Sequence, residues 1–175
     1  MVKLVIPSKE HFNEIIRLKQ DFINNNELRI QGSGSVDKYD DLNEWLKSIN
    51  EIEQGKNEKL VPSTYYLILN EEDVVGTICM RHYLTKELEE FGGHIGYSIK
   101  PSARRKGYAK EALRLLLDLY KDKFNEILIM CEDDNIGSNK TILANGGKLK
   151  NQIEKFGLKI NRYVLNLSNK TLNNF

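Results

Sequence analysis

Residues 101–110 have the composition of a phosphate-binding loop. They include four basic residues and no acidic residue, and Gly107 lies where a strand-like segment gives way to a helical pattern. The first turn of a helix leaves about four backbone N–H groups unpaired and carries partial positive charge, so it binds anions. Gly107 would let a phosphate approach the backbone closely. Formal charge would come from Arg104, Arg105 and Lys106. A solvated basic turn is the alternative interpretation of the same residues.

Two common nucleotide-binding motifs do not fit this segment. A P-loop needs Gly-x-x-x-x-Gly-Lys-Ser/Thr after a strand, and the sequence has none. The dinucleotide fingerprint needs Gly-x-Gly-x-x-Gly near the first strand, whereas only Gly107 is present here. If the segment binds phosphate, it does so in another way.

The apolar periodicity along the chain predicts the elements that position this segment. Strands are predicted at residues 3–6, 65–69, 74–80, 94–99, 127–131, 148–154 and 159–167. Helices are predicted after Ser8, around Trp45, over about 109–120, and from about Asn135 to Gly146. The order β-α-α-β-β-β-α-β-α-β-β predicts an α/β protein with a mixed sheet. Without a linker or a repeat, we expect one domain over residues 1–175.

Two details of the amino-terminal half bear on packing. The buried face of the first helix is predicted to carry Phe12, Ile15, Ile16, Phe22 and Ile23. The glycine-rich stretch that follows, residues 31–35, is typical of a flexible loop.

The basic segment and a second motif resemble those of a known family. Pro101-x-x-Arg104-Arg105-x-Gly107-x-Ala109 resembles Arg/Gln-x-x-Gly-x-Gly/Ala, the acetyl-CoA signature of the GCN5-related N-acetyltransferases (GNAT). Asn135-Ile136-Gly137-Ser138-Asn139, followed by Gly146-Gly147, is similar to the family's Asn-led helix that ends in a Gly eleven residues later. The element order is similar as well, so the resemblance covers essentially the whole chain. Three further segments resemble a bacterial subgroup of predicted acetyltransferases: residues 61–64, 92–97 and 131–135.

The resemblance implies both a fold and a cofactor. The fold would be a central mixed, mostly antiparallel sheet of about six to seven strands, flanked by about four helices. Strands 4 and 5 would splay apart in a V, usually at a bulge in strand 4, and the pantetheine arm of acetyl-CoA would lie between them. The backbone of Ile99 would hold the acetyl carbonyl as an oxyanion-hole donor. The implied cofactor-binding residues are Ile99, Lys100, Arg104, Arg105, Lys106, Gly107, Tyr108, Ala109, Lys110, Asn135, Ser138 and Asn139.

Acetyl transfer to an amine would need a group that accepts a proton. An alkylamine with a pKa of ~10.4 is nearly all ammonium at neutral pH and cannot attack. Family members often carry a Glu on strand 4 where this chain has His94, whose imidazole could act directly or through water. A histidine that only hydrogen-bonds a neighbour is the alternative. Glu132, just past strand 5, is the second candidate, or else a capping or surface carboxylate. We expect no metal ion.

The leaving thiolate would need a proton donor. The family commonly uses a Tyr seven residues after the Asn, and here that position is Ile142. Tyr97, Tyr108 or water would then donate, or the thiolate would leave unassisted. Cys131 lies in an apolar strand, which would keep its pKa high and disfavour an acetyl-enzyme.

The charge and hydropathy of the chain exclude some partners. With 26 basic and 25 acidic residues, the net charge of +1 argues against a nucleic-acid binder. No apolar run approaches the ~18 residues needed to cross a bilayer, and the amino terminus is too short in its apolar part for a signal peptide. Cys79 and Cys131 fit reduced core thiols. We therefore expect a soluble, cytoplasmic protein without membrane contact.

The resemblance thus implies an N-acetyltransferase that moves acetyl from acetyl-CoA to a primary amine by direct attack. The acceptor would be a small molecule or a peptide, and polyamines, aminoglycosides, amino-sugars, protein lysines and N-termini stay open. Acidic side chains of residues 35–58 would attract a cationic amine or form a solvated helix face; they include Asp37, Asp40, Asp41 and Glu44. Homodimers are common in the family. The rival hypothesis is a catalytically degenerate acetyl-CoA sensor of the same fold, motivated by Ile142.

Overall fold

Seven strands form one sheet in the computed structural model, which describes residues 1–168. They are β1 (Val2–Val5), β2 (Ser63–Asn70), β3 (Asp73–Arg81), β4 (Ile95–Ile99), β5 (Glu126–Glu132), β6 (Lys148–Lys155) and β7 (Leu158–Asn166). Their order across the sheet is β1-β2-β3-β4-β5-β7-β6. All neighbouring pairs are antiparallel except β4 and β5, which are parallel. The predicted mixed, mostly antiparallel sheet is confirmed.

Five α-helices accompany the sheet within residues 1–168, one more than predicted. They are α1 (Phe12–Asn24), α2 (Leu42–Glu53), α3 (Lys86–Glu90), α4 (Tyr108–Tyr120) and α5 (Ile136–Ala144). The additional helix is α3, which the Thr85 side chain caps by accepting a hydrogen bond from the Leu88 N–H. It buries no side chain, so apolar periodicity could not reveal it. Over the same residues, we find no helix with the length and apolar character needed to traverse a bilayer.

Two hydrophobic layers enclose the sheet. Leu113, Leu116 and Leu117 of α4 are fully buried in one layer, together with Ile68 of β2. The preceding residue of β2, Leu67, belongs to the other layer, which α1 and α2 cover. Alternate side chains of a strand point to opposite faces, so α4 packs on one face of the sheet and α1 and α2 on the other.

The buried face of α1 differs from the predicted one. Ile15, Leu18 and Phe22 are buried, whereas Ile16 and Ile23 are 55% and 54% exposed. The buried residues follow the spacing i, i+3 and i+7 of a single helical stripe, and each exposed isoleucine is one position off it. The prediction was wrong for those two residues because several apolar side chains crowd this segment and only one stripe can face the sheet.

The loop at residues 31–35 is closely packed and not flexible as predicted. Gly32 has a φ of 69° and lies so near β4 that a Cβ there would be 2.2 Å from the Gly96 carbonyl oxygen. The carbonyl of Ser33 accepts a hydrogen bond from the Trp45 indole N–H at 2.8 Å. The glycines therefore permit close approach to the sheet.

Candidate active site

A gap opens between β4 and β5 towards their carboxyl ends. In the described part of the chain, Ile95 and Ile129 form the one backbone pair that joins the two strands. The V-shaped opening expected between strands 4 and 5 is therefore present. The register between β3 and β4 is continuous, so the gap forms without the expected bulge in β4.

The peptide groups of β4 provide hydrogen-bond donors in this gap. The Lys100 N–H donates to the Val75 carbonyl oxygen at 2.9 Å, on the β3 side of the strand. Because peptide groups alternate along an antiparallel pair, the N–H groups of Tyr97 and Ile99 point the other way, towards β5. Past the single pair with β5, these two donors can bind an extended ligand in place of a strand.

The chain leaves β4 through a turn at Pro101–Ala103 and enters α4 with an unusual backbone. Arg105 and Gly107 have φ values of 62° and 83°, both left-handed. The space that a side chain of Gly107 would fill is open. Helical hydrogen bonding begins when the Glu111 N–H donates to the Gly107 carbonyl at 3.1 Å, so the preceding N–H groups of the first turn are not used within the helix.

The gap, the turn and the first turns of α4 and α5 line one cleft of about 890 Å³. This size suits a small-molecule ligand. The predicted cofactor-binding residues on its wall are Ile99, Arg104, Arg105, Gly107, Tyr108, Ala109, Lys110, Asn135 and Ser138. Two separate motifs of the sequence thus meet at one cleft.

Two predicted lysines do not line this cleft. The Lys100 ammonium group forms an ion pair of 2.5 Å with Asp73, and its backbone N–H is bonded to β3. The Lys106 side chain is exposed to solvent. The structure therefore does not support a pantetheine contact for Lys100 or a phosphate contact for Lys106.

Asn139 also lies off the cleft wall and holds elements together. Its amide N–H group donates to the carbonyl oxygens of Glu132 and Asn135 at 3.0 and 2.9 Å. Its side-chain oxygen accepts from the Asn161 amide and the Tyr163 hydroxyl at 2.9 and 2.6 Å. With every polar atom of its side chain bonded within the protein, Asn139 joins α5 to β5 and β7, and the geometry does not favour the expected cofactor contact of this side chain.

Arg104 lines the cleft, but its charge is already paired. Its guanidinium donates to both carboxylate oxygens of Glu27 at 2.6 Å. The hydrogen bond with Arg104 lowers the pKa of Glu27, and the same bond raises the pKa of Arg104. The expected role of Arg104 as a direct source of charge for phosphate is therefore not supported.

Asn135 begins α5 at the edge of the cleft. Its side-chain oxygen accepts a hydrogen bond from the Ser138 N–H at 3.0 Å, the usual arrangement of a helix N-cap. Ile142, which occupies the family's Tyr position, is fully buried in the α4 layer. That position therefore faces the core, not the cleft.

Tyr97 supplies a hydroxyl group from the opposite wall. Its oxygen lies 3.5 Å from the Ser138 carbonyl oxygen, so the β4 side chain reaches across to α5. Burial raises the pKa of Tyr97 to about 12. The hydroxyl is therefore protonated at neutral pH and can donate a proton within the cleft.

His94 lies outside the cleft, at the closed end of the junction between β4 and β5. Its Nδ1 accepts a hydrogen bond from the Leu128 N–H at 3.0 Å, and its ring packs edge-on against Phe124. Burial lowers the pKa of His94, which keeps the imidazole neutral. The geometry favours the alternative interpretation, a histidine that hydrogen-bonds a neighbouring strand.

Glu132 is at the mouth of the gap. It is the last residue of β5 and it is exposed. Counted from the Ile95–Ile129 pair, Glu132 on β5 occupies the position that corresponds to Ser98 on β4. Glu132 and Ser98 therefore flank the opening between the strands. Cys131 comes directly before, and burial raises the pKa of its thiol to about 11, which disfavours a nucleophilic thiolate.

Other cleft residues were not predicted: Phe22, Glu27, Arg29, Gln31, Ser98, Ala103, Ile136, Gly137, Lys140 and Thr141. Lys140 could have been predicted from the sequence, because it lies one helical turn after Gly137 in the motif that begins at Asn135. Glu27 and Arg29 had none, because they follow α1 in a segment without periodicity. The acidic side chains proposed to attract an amine do not line the cleft, and Asp41 instead caps α2 through the Asn43 N–H at 2.8 Å.

Comparisons with known proteins agree with this geometry. The sequence model of the acetyltransferase (GNAT) domain matches residues 3–148, and no curated protein matches the chain. The microcin C7 self-immunity acetyltransferase MccE, solved with acetyl-CoA and AMP, is 20% identical with a TM-score of 0.68, and the match covers 94% of this chain and 92% of that one. An acetyltransferase from Salmonella typhimurium that modifies the N-terminal serine of ribosomal protein L7/L12 is 18% identical with a TM-score of 0.66, covering 94% of both chains.

A third similar structure is the ribosomal-protein-S5-alanine acetyltransferase from Vibrio fischeri. It is 15% identical with a TM-score of 0.65, and the match covers 96% of this chain and 93% of that one. At these identities the structures establish a shared fold, while the domain match extends over most of the sequence. The chain belongs to the GNAT family of acetyl-CoA-dependent N-acetyltransferases.

Proposed function

We propose that the protein transfers an acetyl group from acetyl-CoA directly to a primary amine, preferentially an α-amine. The observation that carries this proposal is the cleft between β4 and β5, which runs from the free N–H edge of β4 to the first turn of α4. When bound, acetyl-CoA supplies an acetyl thioester that an uncharged amine can attack.

Separate parts of the cleft would hold the separate parts of acetyl-CoA. The N–H groups of Tyr97 and Ile99 would bind the pantetheine arm and an oxygen that gains negative charge during attack. Gly107 and the N–H groups of the first α4 turn would bind the pyrophosphate. Arg105 and Lys140, which line the cleft and belong to no ion pair in residues 1–168, would supply positive charge.

Proton transfer would use groups on both sides of the gap. Tyr97 lines the cleft with a protonated hydroxyl group, which would hydrogen-bond the departing sulfur and supply its proton. Glu132, which lies at the mouth of the gap and not on the cleft wall, would accept the proton of the amine, directly or through water. His94 is not part of this proposal because its Nδ1 accepts the Leu128 N–H and its ring packs against Phe124 at the closed end of the strand junction.

The ionisable groups of the cleft support an α-amine as acceptor. Among the described residues on its wall there is no histidine, and the one carboxylate, Glu27, is bound by Arg104. With Glu132 at the mouth of the gap as the one proton acceptor in this proposal, the site suits an amine that is already partly uncharged. An α-amine has a pKa of about 7.7–8.0, against about 10.4 for a lysine side chain. Two of the similar structures are named as acetyltransferases of a ribosomal protein's N-terminal serine and of ribosomal protein S5 alanine.

The test is thiol release from acetyl-CoA with two matched peptides. One has a free α-amine and an acetylated lysine, and the other has an acetylated N-terminus and a free lysine. From the uncharged fraction alone, we expect the first to react about 200-fold faster at pH 7.4 and about tenfold faster at pH 9.5. Equal rates at pH 7.4 would contradict the α-amine preference. If the protein bound CoA but acetylated neither peptide and no amine of a wider panel, it would instead be an acetyl-CoA sensor.

A further inference from the structure

The pair between Glu27 and Arg104 joins two segments that are far apart in the sequence. Arg104 lies in the turn between β4 and α4, while Glu27 follows the carboxyl end of α1. Both nitrogens of the guanidinium fork bind the carboxylate at 2.6 Å, a bidentate geometry that fixes orientation as well as distance. The third nitrogen, Nε, donates to the Ile99 carbonyl oxygen at 3.0 Å. Arg104 is thus fixed from both sides.

A second contact connects the same two segments. The Ser102 N–H donates to the Asp21 carboxylate at 3.1 Å, so α1 also binds the turn one residue after its proline. The Arg104 guanidinium lies over the ring of Phe22, which is fully buried, at 5.8 Å from the ring centroid. The end of α1 therefore supports the turn through two carboxylates and an aromatic ring.

This turn has a backbone that needs support. Arg105 has a left-handed φ of 62°, which is uncommon outside glycine, and Gly107 follows with a φ of 83°. These two residues direct the first-turn N–H groups of α4 into the cleft. Arg104 comes directly before them, so its orientation influences where those donors point.

We propose that Glu27 is a positioning residue for acetyl-CoA, which acts by holding Arg104 and thereby the turn that presents the backbone N–H groups to the phosphates. The inference deepens the proposed function and rests on it. Glu27 makes no contact with phosphate in this scheme, since a carboxylate would repel it. Its charge neutralises Arg104, and phosphate binding relies on the backbone, Arg105 and Lys140.

The binding of CoA to Glu27→Gln, measured by calorimetry, tests the inference. Glutamine has nearly the same size and shape as glutamate, but it has no charge and only one of the two acceptor oxygens. The substitution therefore weakens the attachment of the turn to the end of α1. We expect Glu27→Gln to weaken CoA binding about fivefold, and Arg104→Gln to weaken it at least as much because it also leaves the Glu27 carboxylate unpaired on the cleft wall. The double variant should bind no more weakly than the single ones, because both changes break one interaction. Acetyl-CoA KM should rise with the CoA Kd, while kcat stays near the wild-type value.

A matched control separates position from general stability. Glu14→Gln breaks the pair with Arg17, which also measures 2.6 Å and lies on α1 outside the cleft. The side chains of Arg104 and Glu27 are 41% and 38% exposed, and pairs at this exposure contribute little to stability. Unliganded thermal midpoints of the Glu14→Gln and Glu27→Gln variants should therefore agree within about 2 °C, with CoA binding reduced only in the second.

The remaining outcomes overturn the inference in distinguishable ways. Tighter CoA binding by Glu27→Gln would show that Arg104 itself binds phosphate and that Glu27 restrains it. Unchanged binding in a variant of normal stability would show that the pair has no positioning role, and would leave the proposed function intact. A wild-type protein that binds no CoA would overturn the proposed function and the inference together.

Discussion

Gly107 carries the strictest demand on residue type in the cleft. A φ of 83° favours glycine, and the open space beside its Cα is where a phosphate would approach. Replacing it with glutamate should add strain of about 1 kcal/mol, and should also place a carboxylate against the phosphate. We expect Gly107→Glu to weaken CoA binding by at least about a hundredfold, measured by calorimetry.

Gly146 offers a control for the backbone strain. It has a φ of 89°, a Cβ added to it would likewise meet no atom within 4 Å, and it lies outside the cleft. Gly146→Glu should lower the free energy of unfolding by about as much as Gly107→Glu does, but it should bind CoA as tightly as the wild-type protein. If both variants bound CoA equally, Gly107 would not be at the phosphate site.

The motifs predicted positions better than they predicted contacts. Gly107 and Asn135 line the cleft because their roles depend on local backbone geometry at a helix start, which short motifs encode. Arg104, Lys100 and Asn139 were expected to bind the cofactor, yet each is engaged by a side chain or backbone group of the protein. Their partners include Glu27, Asp73 and Asn161, which belong to distant segments, so no local pattern could have indicated them.

The segment between α1 and α2 acts as one packed element on β4. Gly32 lies so close to the strand that a Cβ would be 2.2 Å from the Gly96 carbonyl oxygen, and it has a φ of 69°. In Gly32→Ala the new Cβ must therefore displace the backbone of the loop or of β4, and it also strains the left-handed backbone at residue 32. We expect a loss of about 3 kcal/mol in unfolding free energy by urea denaturation.

Gly55 provides the matched position for this change. Its φ is 70°, but a Cβ there would meet only the Pro62 side chain, at 3.4 Å. Gly55→Ala should lose only about 1 kcal/mol from backbone strain. Equal losses in the two alanine variants would mean that the close approach of Gly32 to β4 does not contribute to stability.

At the level of elements, strongly periodic segments were predictable and the connections were not. The stripe of α4 and the alternating strands follow from apolar spacing, which is a local property. The short helix α3 buries nothing, and residues 31–35 pack against Gly96, which is remote in the sequence. Both features depend on contacts that arise only when the sheet has formed.

Two partly buried histidines make the stability of the whole molecule depend on pH. Burial lowers the pKa of both His82 and His94, and the two side chains bond to Thr64 and to the Leu128 N–H. Their folded pKa values lie below the unfolded value of about 6.5. The unfolded state therefore binds more protons, and the stabilisation is complete above pH ~6.5 and is lost as the pH falls through the folded pKa values.

Urea denaturation at pH 7.5 and pH 5.5 would measure this loss. We expect the wild-type protein to be less stable at pH 5.5, and the double variant His82→Gln/His94→Gln to show a smaller difference between the two pH values. Should the double variant retain the full wild-type difference, groups other than these histidines would have to explain it.

The single pair between β4 and β5 also bears on the order in which the fold assembles. Short turns connect β2 to β3 and β6 to β7. The connection between β4 and β5 is much longer, because it contains the whole of α4. Closing the longer connection has the larger entropic cost, so this junction should form late, between two halves that are already locally paired. The cleft then lies at the boundary between these two halves, and a ligand can bind there without breaking any hydrogen bonds between paired strands.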